Sequence, residues 1–399
     1  MSTMLLKGFE VELFTGRADG SVVGCSAAAA AALPGFVTEP DHRNLEYVTP
    51  PDPDYPTLLE LLLEPRQRLR RWLEARNLTL LPGSTLSLGD SNRFERSDPS
   101  HPYHDFIETT YGTRVVTASV HINLGLTPGS GFETMPALFA GLRLLRCEAA
   151  LLLALSASSP FLDGRVTGAH SQRWLQFPLT PPQVPLFTDH SHYITWMEEQ
   201  LNRGAMQNVR HLWTSVRPNG VARPHDLNRL EIRICDLVSD PGLLLAITAL
   251  AERRLHQLMA DPAGEDPLRA STLSPSELAR LADANDQACA RSSLDAPLHH
   301  WRDGRAIRCR DWIESLLVDL DLEGGGRQPG LGSLMLPLQQ VLQEGNQAMR
   351  WLNRHRQGEA IGAILSEEVR VMADREQQLA EAIGRSATPR TDTGAGALG

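Results

Sequence analysis

Hydrophobic and polar positions follow two different periods along the chain. In the stretch Lys7 to Leu13, K-G-F-E-V-E-L, Phe9, Val11 and Leu13 fall on one face of an extended segment and Glu10 and Glu12 on the other. The same alternation runs through Val115 to Leu126, where Val116, Ala118, Val120, Ile122 and Leu124 face opposite to Thr117, Ser119, His121, Asn123 and Gly125. It returns in Arg229 to Leu237, with Leu230, Ile232 and Ile234 against Glu231, Arg233 and Cys235. Asn44 to Thr49 reads as a shorter strand that turns Glu46 away from Leu45 and Tyr47, and His211 to Arg217 as another, ended by Pro218. Helical spacing predicts a short alanine helix over 27–32, a helix over 57–77 kinked or split at Pro65, a long buried helix over 134–156 and another over 189–203. Beyond Asp240 the pattern is helical throughout: 241–260, 275–292, 310–320, 333–356 and 358–384.

Strands crowd the first 240 residues and helices the remainder. That order predicts an α+β fold with an antiparallel or mixed sheet, helices packed on one face, and a polar second face lining a cleft. The segment from Ser386 to the end, rich in Thr, Gly and Ala, is expected to be a disordered tail.

Composition narrows the function. The chain has 399 residues, of which 42% are hydrophobic and 22% charged, as in soluble globular proteins. A net charge of −10 argues against non-specific binding to nucleic acid or acidic membranes. Five scattered cysteines, none in C-x-x-C spacing, form neither a disulfide framework nor a zinc motif, so a reducing cytoplasm is the expected compartment. The start lacks the apolar core of a secretory signal, and the most apolar run, Ala149 to Ala157, is too short to span a bilayer.

The polar strand faces carry Glu10, Glu12, Glu46, His121, Asn123, Glu231 and Arg233. If these faces are one face, several glutamates meet. Two carboxylates about 4 Å apart repel by roughly 4 kcal/mol at an effective dielectric of about 20, so such a cluster needs protons or cations. Carboxylate oxygens with one imidazole suit Mg²⁺ or Mn²⁺, and several such ions in a cleft usually face phosphates. The competing reading is a set of solvated strand faces with a satisfied core histidine. No Walker P-loop, G-x-G-x-x-G, G-x-S-x-G or H-E-x-x-H occurs, so a bound nucleotide would depend on metals and sheet side chains.

Five segments, G-F-E-V-E-L, N-L-E-Y-V-T-P, Y-G-T-R-V-V-T-A-S-V-H-I-N-L-G, S-A-S-S-P-F-L-D-G and R-L-E-I-R-I-C-D, occur in the order found in glutamate–cysteine ligases. The chain resembles their bacterial carboxylate–amine ligase branch, of the cyanobacterial type, over residues 5 to 300. The resemblance implies a glutamine-synthetase-like, curved, mostly antiparallel sheet within a single catalytic domain over 1–385. It also implies ATP-driven joining of the L-glutamate γ-carboxyl to the L-cysteine amine through γ-glutamyl phosphate, the first step of glutathione synthesis. Glu10, Glu12, Glu46, His121 and Glu231 match the family's metal ligands, and Glu39, next to Pro40, a further acidic ligand. Arg233 and Arg217 are implied to act on phosphate, Arg173 on the glutamate α-carboxylate. Asn123 stands where some relatives have a second histidine and is expected to bind substrate by hydrogen bonding. Two alternatives stay open: a ligase for another amine or acid, and a non-catalytic relative that binds amino acid or nucleotide.

Overall fold

The protein is described by a computed structural model that covers residues 3–320 and 331–387. Its sheet is built from β1 (Leu6–Gly16), β2 (Phe36–Thr38), β3 (Asn44–Val48), β4 (Thr79–Leu81), β5 (Val120–Gly125), β8 (Val216–Asn219) and β9 (Arg229–Ile232). The hairpin β6 (Phe161–Leu162) and β7 (Arg165–Val166) lies apart from it, as does β10 (Pro297–His299) with β11 (Ala306–Arg308). The strand order is β2-β3-β1-β5-β9-β8, with β4 paired to the end of β1, and every pairing is antiparallel. The sheet is open rather than a closed barrel.

The helices are α1 (Ser26–Ala32), α2 (Tyr55–Glu74), α3 (Pro102–Tyr111), α4 (Met135–Ser156), α5 (Gln172–Gln176), α6 (His190–Asn202) and α7 (Pro241–Ala260). The later ones are α8 (Pro262–Glu265), α9 (Pro267–Ala270), α10 (Pro275–Ser292), α11 (Cys309–Asp319), α12 (Leu331–Glu344), α13 (Gln347–Arg356) and α14 (Ile361–Ala387). Alternation along the strands sets the two faces. Phe9, Val11, Leu13, Leu45, Val120, Ile122, Leu124, Leu230 and Ile232 are fully buried in the core. Helix α4, almost wholly buried, packs on β8 and β9 and against α7 and α10. Burying those apolar side chains is what fixes the strand register, because a slip by one residue would turn them all to the polar side.

Several boundaries differ from the sequence pattern, each for a local reason. Helix α2 runs unbroken through Pro65, where Arg66 and Arg70 are anchored to Glu376 of α14 and Leu62 and Leu69 are fully buried. The helix expected over 333–356 divides at Gly345, whose φ of +91° suits glycine, and Asn346 caps α13 by accepting from the Met349 amide at 2.9 Å. Strand β5 starts only at Val120, because the backbone before it is engaged outside the ladder, as in Ala118 N–H donating to the Ser84 carbonyl. Strand β8 lies later than expected and includes Pro218, which an edge strand tolerates. Strand β9 ends at Ile232, so Arg233 lies just beyond it, its N–H donating to the Ser215 carbonyl at 2.8 Å. Strands β2 and β4 and helix α3 lie in segments whose periodicity is too short to read. Helix α14 extends to Ala387, and the rest of the expected tail lies outside the described residues.

The start of β1 is held by the only lysine of the chain. Lys7 is fully buried and donates to the carbonyls of Leu5 (2.9 Å) and Pro53 (2.8 Å) and to both carboxylate oxygens of Glu252 on α7 (3.1 and 3.2 Å). The Tyr55 hydroxyl donates to the same carboxylate at 2.6 Å, and the Tyr55 ring lies 4.4 Å from the ammonium. Lys7→Met strands a buried carboxylate and is expected to cost about 3–5 kcal/mol in urea unfolding. An unchanged unfolding midpoint would show that β1 does not depend on this clamp.

Candidate functional site

Cross-strand register brings the polar side chains together. Glu10 of β1 sits opposite His121 of β5, and Glu12 opposite Glu46 of β3. Asn123 sits opposite Glu231 of β9, which faces Arg217 of β8. Glu39 follows β2, and the Ser97 hydroxyl donates to its carbonyl at 2.5 Å while the Ser97 N–H donates to that of Pro40 at 3.0 Å. These bonds fix the proline-bent turn so that Glu39 reaches Glu46. A cavity of about 410 Å³ opens over this face, a volume suited to a small-molecule site. Glu10, Glu12, Glu39, Glu46, His121, Arg173, Arg217 and Arg233 all line it. Asn123 and Glu231 do not line it; both are buried, with Asn123 donating to Glu10 Oε1 at 3.2 Å and accepting from Arg229 at 2.9 Å.

The acids form two groups. Glu10, His121 and Glu231 each offer a ligand atom, all within 4.8 Å of one another, and so do Glu12, Glu39 and Glu46. Their electrostatics are opposite. Burial pushes Glu39 up to about 8, helped by the Glu12 charge, and pushes Glu46 up to about 10, helped by Glu39 and Glu12. Glu39 and Glu46 of that second group therefore hold protons when no cation is present. In the first group burial also raises the carboxyl groups, but cations win. Arg217, Arg233 and His121 bring Glu231 well below the usual carboxylate range, and the His121 hydrogen bond lowers Glu10.

The donor set fits a hard divalent cation in both groups: carboxylate oxygens, with one imidazole in the first. His121 is oriented for that role. Its Nδ1 lies 2.8 Å from Glu10 Oε2 and its Nε2 3.2 Å from Ser119 Oγ, which donates to Glu12 Oε2 at 2.9 Å, so with a cation bound an Nε2–H tautomer would free the Nδ1 lone pair for it. The Ser119 N–H donates to the same Glu12 oxygen at 2.7 Å, leaving Oε1 for the second group.

The arginines are less free than the sequence implied. Arg217 donates to both oxygens of Glu231 (2.8 and 3.0 Å) and to the carbonyls of Arg210 and Leu212, so it holds Glu231 rather than the cavity. Burial and the nearby Arg233 lower it to about 10. Arg173 gives its two terminal nitrogens to the carbonyls of Ile234 (3.0 Å) and Arg233 (2.9 Å), so the fork expected for an α-carboxylate is engaged within the chain. Sequence reading missed Asn219, which donates to Glu231 Oε2 at 2.6 Å, and Arg210, an exposed guanidinium on the cavity wall. It also missed an aromatic rim. His101 and His104 stack with centroids 4.6 Å apart, Trp213 lies 5.1 Å from Phe177, and Tyr103 stands beside them. The dense aromatic and histidine run from His101 to Phe106 was the available signal.

The model of glutamate–cysteine ligase family 2 (GCS2) matches residues 6–370. The chain belongs to this family. Membership makes it a ligase of the carboxylate–amine type. A Rubrobacter xylanophilus protein provisionally named glutamate–cysteine ligase 2-3 is 26% identical over 283 residues, 68% of this chain and 69% of its own. The fold is similar to that of a Francisella tularensis glutamate–cysteine ligase solved in complex with AMP, with a TM-score of 0.70 and 14% identity over 96% of this chain and 94% of the other. It is also similar to a bifunctional glutathione synthetase from Pasteurella multocida, with a TM-score of 0.68 and 15% identity. That match covers 94% of this chain, which spans only 53% of the longer protein.

A pH prediction follows from the raised pair. Glu39 and Glu46 keep protons in the folded state that they release from an ordinary value of 4.5 when unfolded. Their contribution to stability is therefore complete below about pH 4.5 and lost as pH rises through about 8 and then about 10. In chelator-treated protein the unfolding midpoint should fall from pH 6 to pH 9, and fall less in Glu46→Gln. Parallel pH profiles for the two proteins would refute the charge crowding.

Proposed function

We propose that this chain joins the γ-carboxyl of L-glutamate to the amine of L-cysteine with conversion of ATP to ADP and phosphate, the first step of glutathione biosynthesis. The observation that carries the reading is the placement of two acidic groups side by side on one cavity floor. A carboxylate is a poor acyl donor, so it must be activated before an amine can displace anything from it. A γ-carboxylate oxygen attacks the γ-phosphorus of ATP, ADP leaves, and γ-glutamyl phosphate forms. The amine then attacks the acyl carbon, phosphate departs with the carboxylate oxygen it acquired, and the ammonium proton is lost. One domain, residues 1–385, would carry the whole reaction.

Glu10, His121 and Glu231 would hold one Mg²⁺, with Mn²⁺ as a substitute, and Glu12, Glu39 and Glu46 another. Bound there, such ions screen phosphate charge and stabilise the charge that redistributes during phosphoryl transfer. The protein's own groups do the rest. Arg217 and Asn219 fix the Glu231 carboxylate, and Ser119 fixes Glu12 and the His121 ring. Arg233 lies beside the first group, where an anionic phosphate would come. Arg210, exposed on the cavity wall, is the better candidate for the α-carboxylate, because Arg173 spends its fork on the carbonyls of Arg233 and Ile234. The rim of His101, Tyr103, Phe177 and Trp213 favours a second reading, a ligase for an amine bulkier than cysteine.

Steady-state assays with Mg²⁺, ATP, glutamate and a panel of amines test the assignment. γ-Glutamylcysteine with matching ADP release is the expected product. A different amide moves the chain to the second reading, and no turnover with any amine makes it a binding relative. Arg210→Ala should raise the glutamate KM by about tenfold or more with little change in kcat, the mark of lost uniform binding. Arg173→Ala, acting through the Arg233 backbone, should mainly lower kcat. The reverse pattern would return the α-carboxylate to Arg173.

A further inference from the structure

We propose that the guanidinium of Arg233 stands in for a divalent cation in the Glu10–His121–Glu231 group, and that cation binding there displaces it. The inference rests on reading that group as a cation site. Glu231 is fully buried, and its carboxylate is saturated. Oε2 accepts from Arg217 Nε at 2.8 Å and Asn219 Nδ2 at 2.6 Å; Oε1 accepts from Arg217 Nη2 at 3.0 Å and from Arg233 Nη1. Each carboxylate oxygen has two lone pairs, so no direction is left for a metal. One donor must leave before Glu231 can ligate.

Two of those donors are locked. Arg217 is tied by Nη1 to two carbonyls, and Asn219 sits buried on the adjacent strand. Arg233 is the donor that can go, because it lines the cavity and, unlike Arg217, its guanidinium has no backbone carbonyl partner among the described residues.

The position it holds is the one a cation would take. Arg233 Nη1 touches Glu231 Oε1 and lies 3.2 Å from His121 Nδ1, which lies 2.8 Å from Glu10 Oε2. That arrangement is frustrated. Nδ1 can donate to Glu10 or accept from Arg233, but it cannot do both. An ion at the same point would take the Nδ1 lone pair and both carboxylates at once, and would leave Nε2–H for Ser119. The guanidinium would then turn to the cavity, so Arg233 becomes available to an anion only when the cation is in place.

Mn²⁺ titration of the purified full chain, followed by electron paramagnetic resonance without nucleotide or amino acids, tests the exchange. Arg233→Ala should bind one more Mn²⁺ per chain than wild type over the same range, or bind its tightest ion at least about tenfold more tightly. Adding Glu10→Gln to that variant should abolish the gain. Arg233→Met keeps the apolar stem and serves if the alanine variant misfolds by circular dichroism. Equal or weaker Mn²⁺ binding by the folded variant overturns the proposal, as does a gain that survives Glu10→Gln. Absence of Mn²⁺ binding in every protein overturns both the proposal and the cation site. Because no substrate is present, a chain that binds extra Mn²⁺ but forms no amide sustains the exchange and refutes only the ligase reading.

Discussion

The pairing of β1 with β3 and β5 is the constraint on which the rest depends. It places Glu10 opposite His121 and Glu12 opposite Glu46. The register is not chosen by the acids, which repel. It is imposed from the other side of the sheet, where Phe9, Val11, Leu13, Ile122 and Leu45 are fully buried. Burial of apolar area on one face therefore holds like charges together on the other. The two faces of the same strands oppose each other energetically, as is common where a fold supports a charged site.

The acidic floor resolves its repulsion in two ways at once. On the β3 side, Glu39 and Glu46 are neutralised by protons; on the β9 side, Glu231 is neutralised by arginines. If the floor holds cations, as proposed, both are provisional partners, because a proton or the Arg233 guanidinium can leave. Ser119 links the halves, donating to Glu12 and meeting His121 Nε2.

Much of this was legible in the sequence. Strict alternation in Lys7–Leu13 and in the core of Val115–Leu126 gave the facing of Glu10, Glu12 and His121 directly, since each strand is apolar on only one face. Strand adjacency was not legible from periodicity, because pairing is set by long-range packing; the ordered motifs implied it. Glu39 could be suspected only from resemblance, since its position depends on a turn pinned by Ser97, far along the chain. Partner choice among the arginines was hidden altogether. Arg173 and Arg217 look like anion anchors as letters, yet Arg173 gives both terminal nitrogens to the carbonyls of Arg233 and Ile234, and Arg217 divides its donors between the Glu231 carboxylate and the carbonyls of Arg210 and Leu212. Asn219 escaped notice for the same reason: a polar residue on a short edge strand carries no periodic signal.

If this face activates a carboxylate by phosphorylation, as proposed, isotope transfer reads that step directly. Glutamate labelled with ¹⁸O in both γ-carboxyl oxygens would be turned over with unlabelled ATP and the preferred amine, and the released phosphate analysed by mass spectrometry. An acyl phosphate intermediate must deliver one labelled oxygen to each phosphate formed. Amide formation with unlabelled phosphate would contradict the account, because the carboxylate oxygen would then have left by another route.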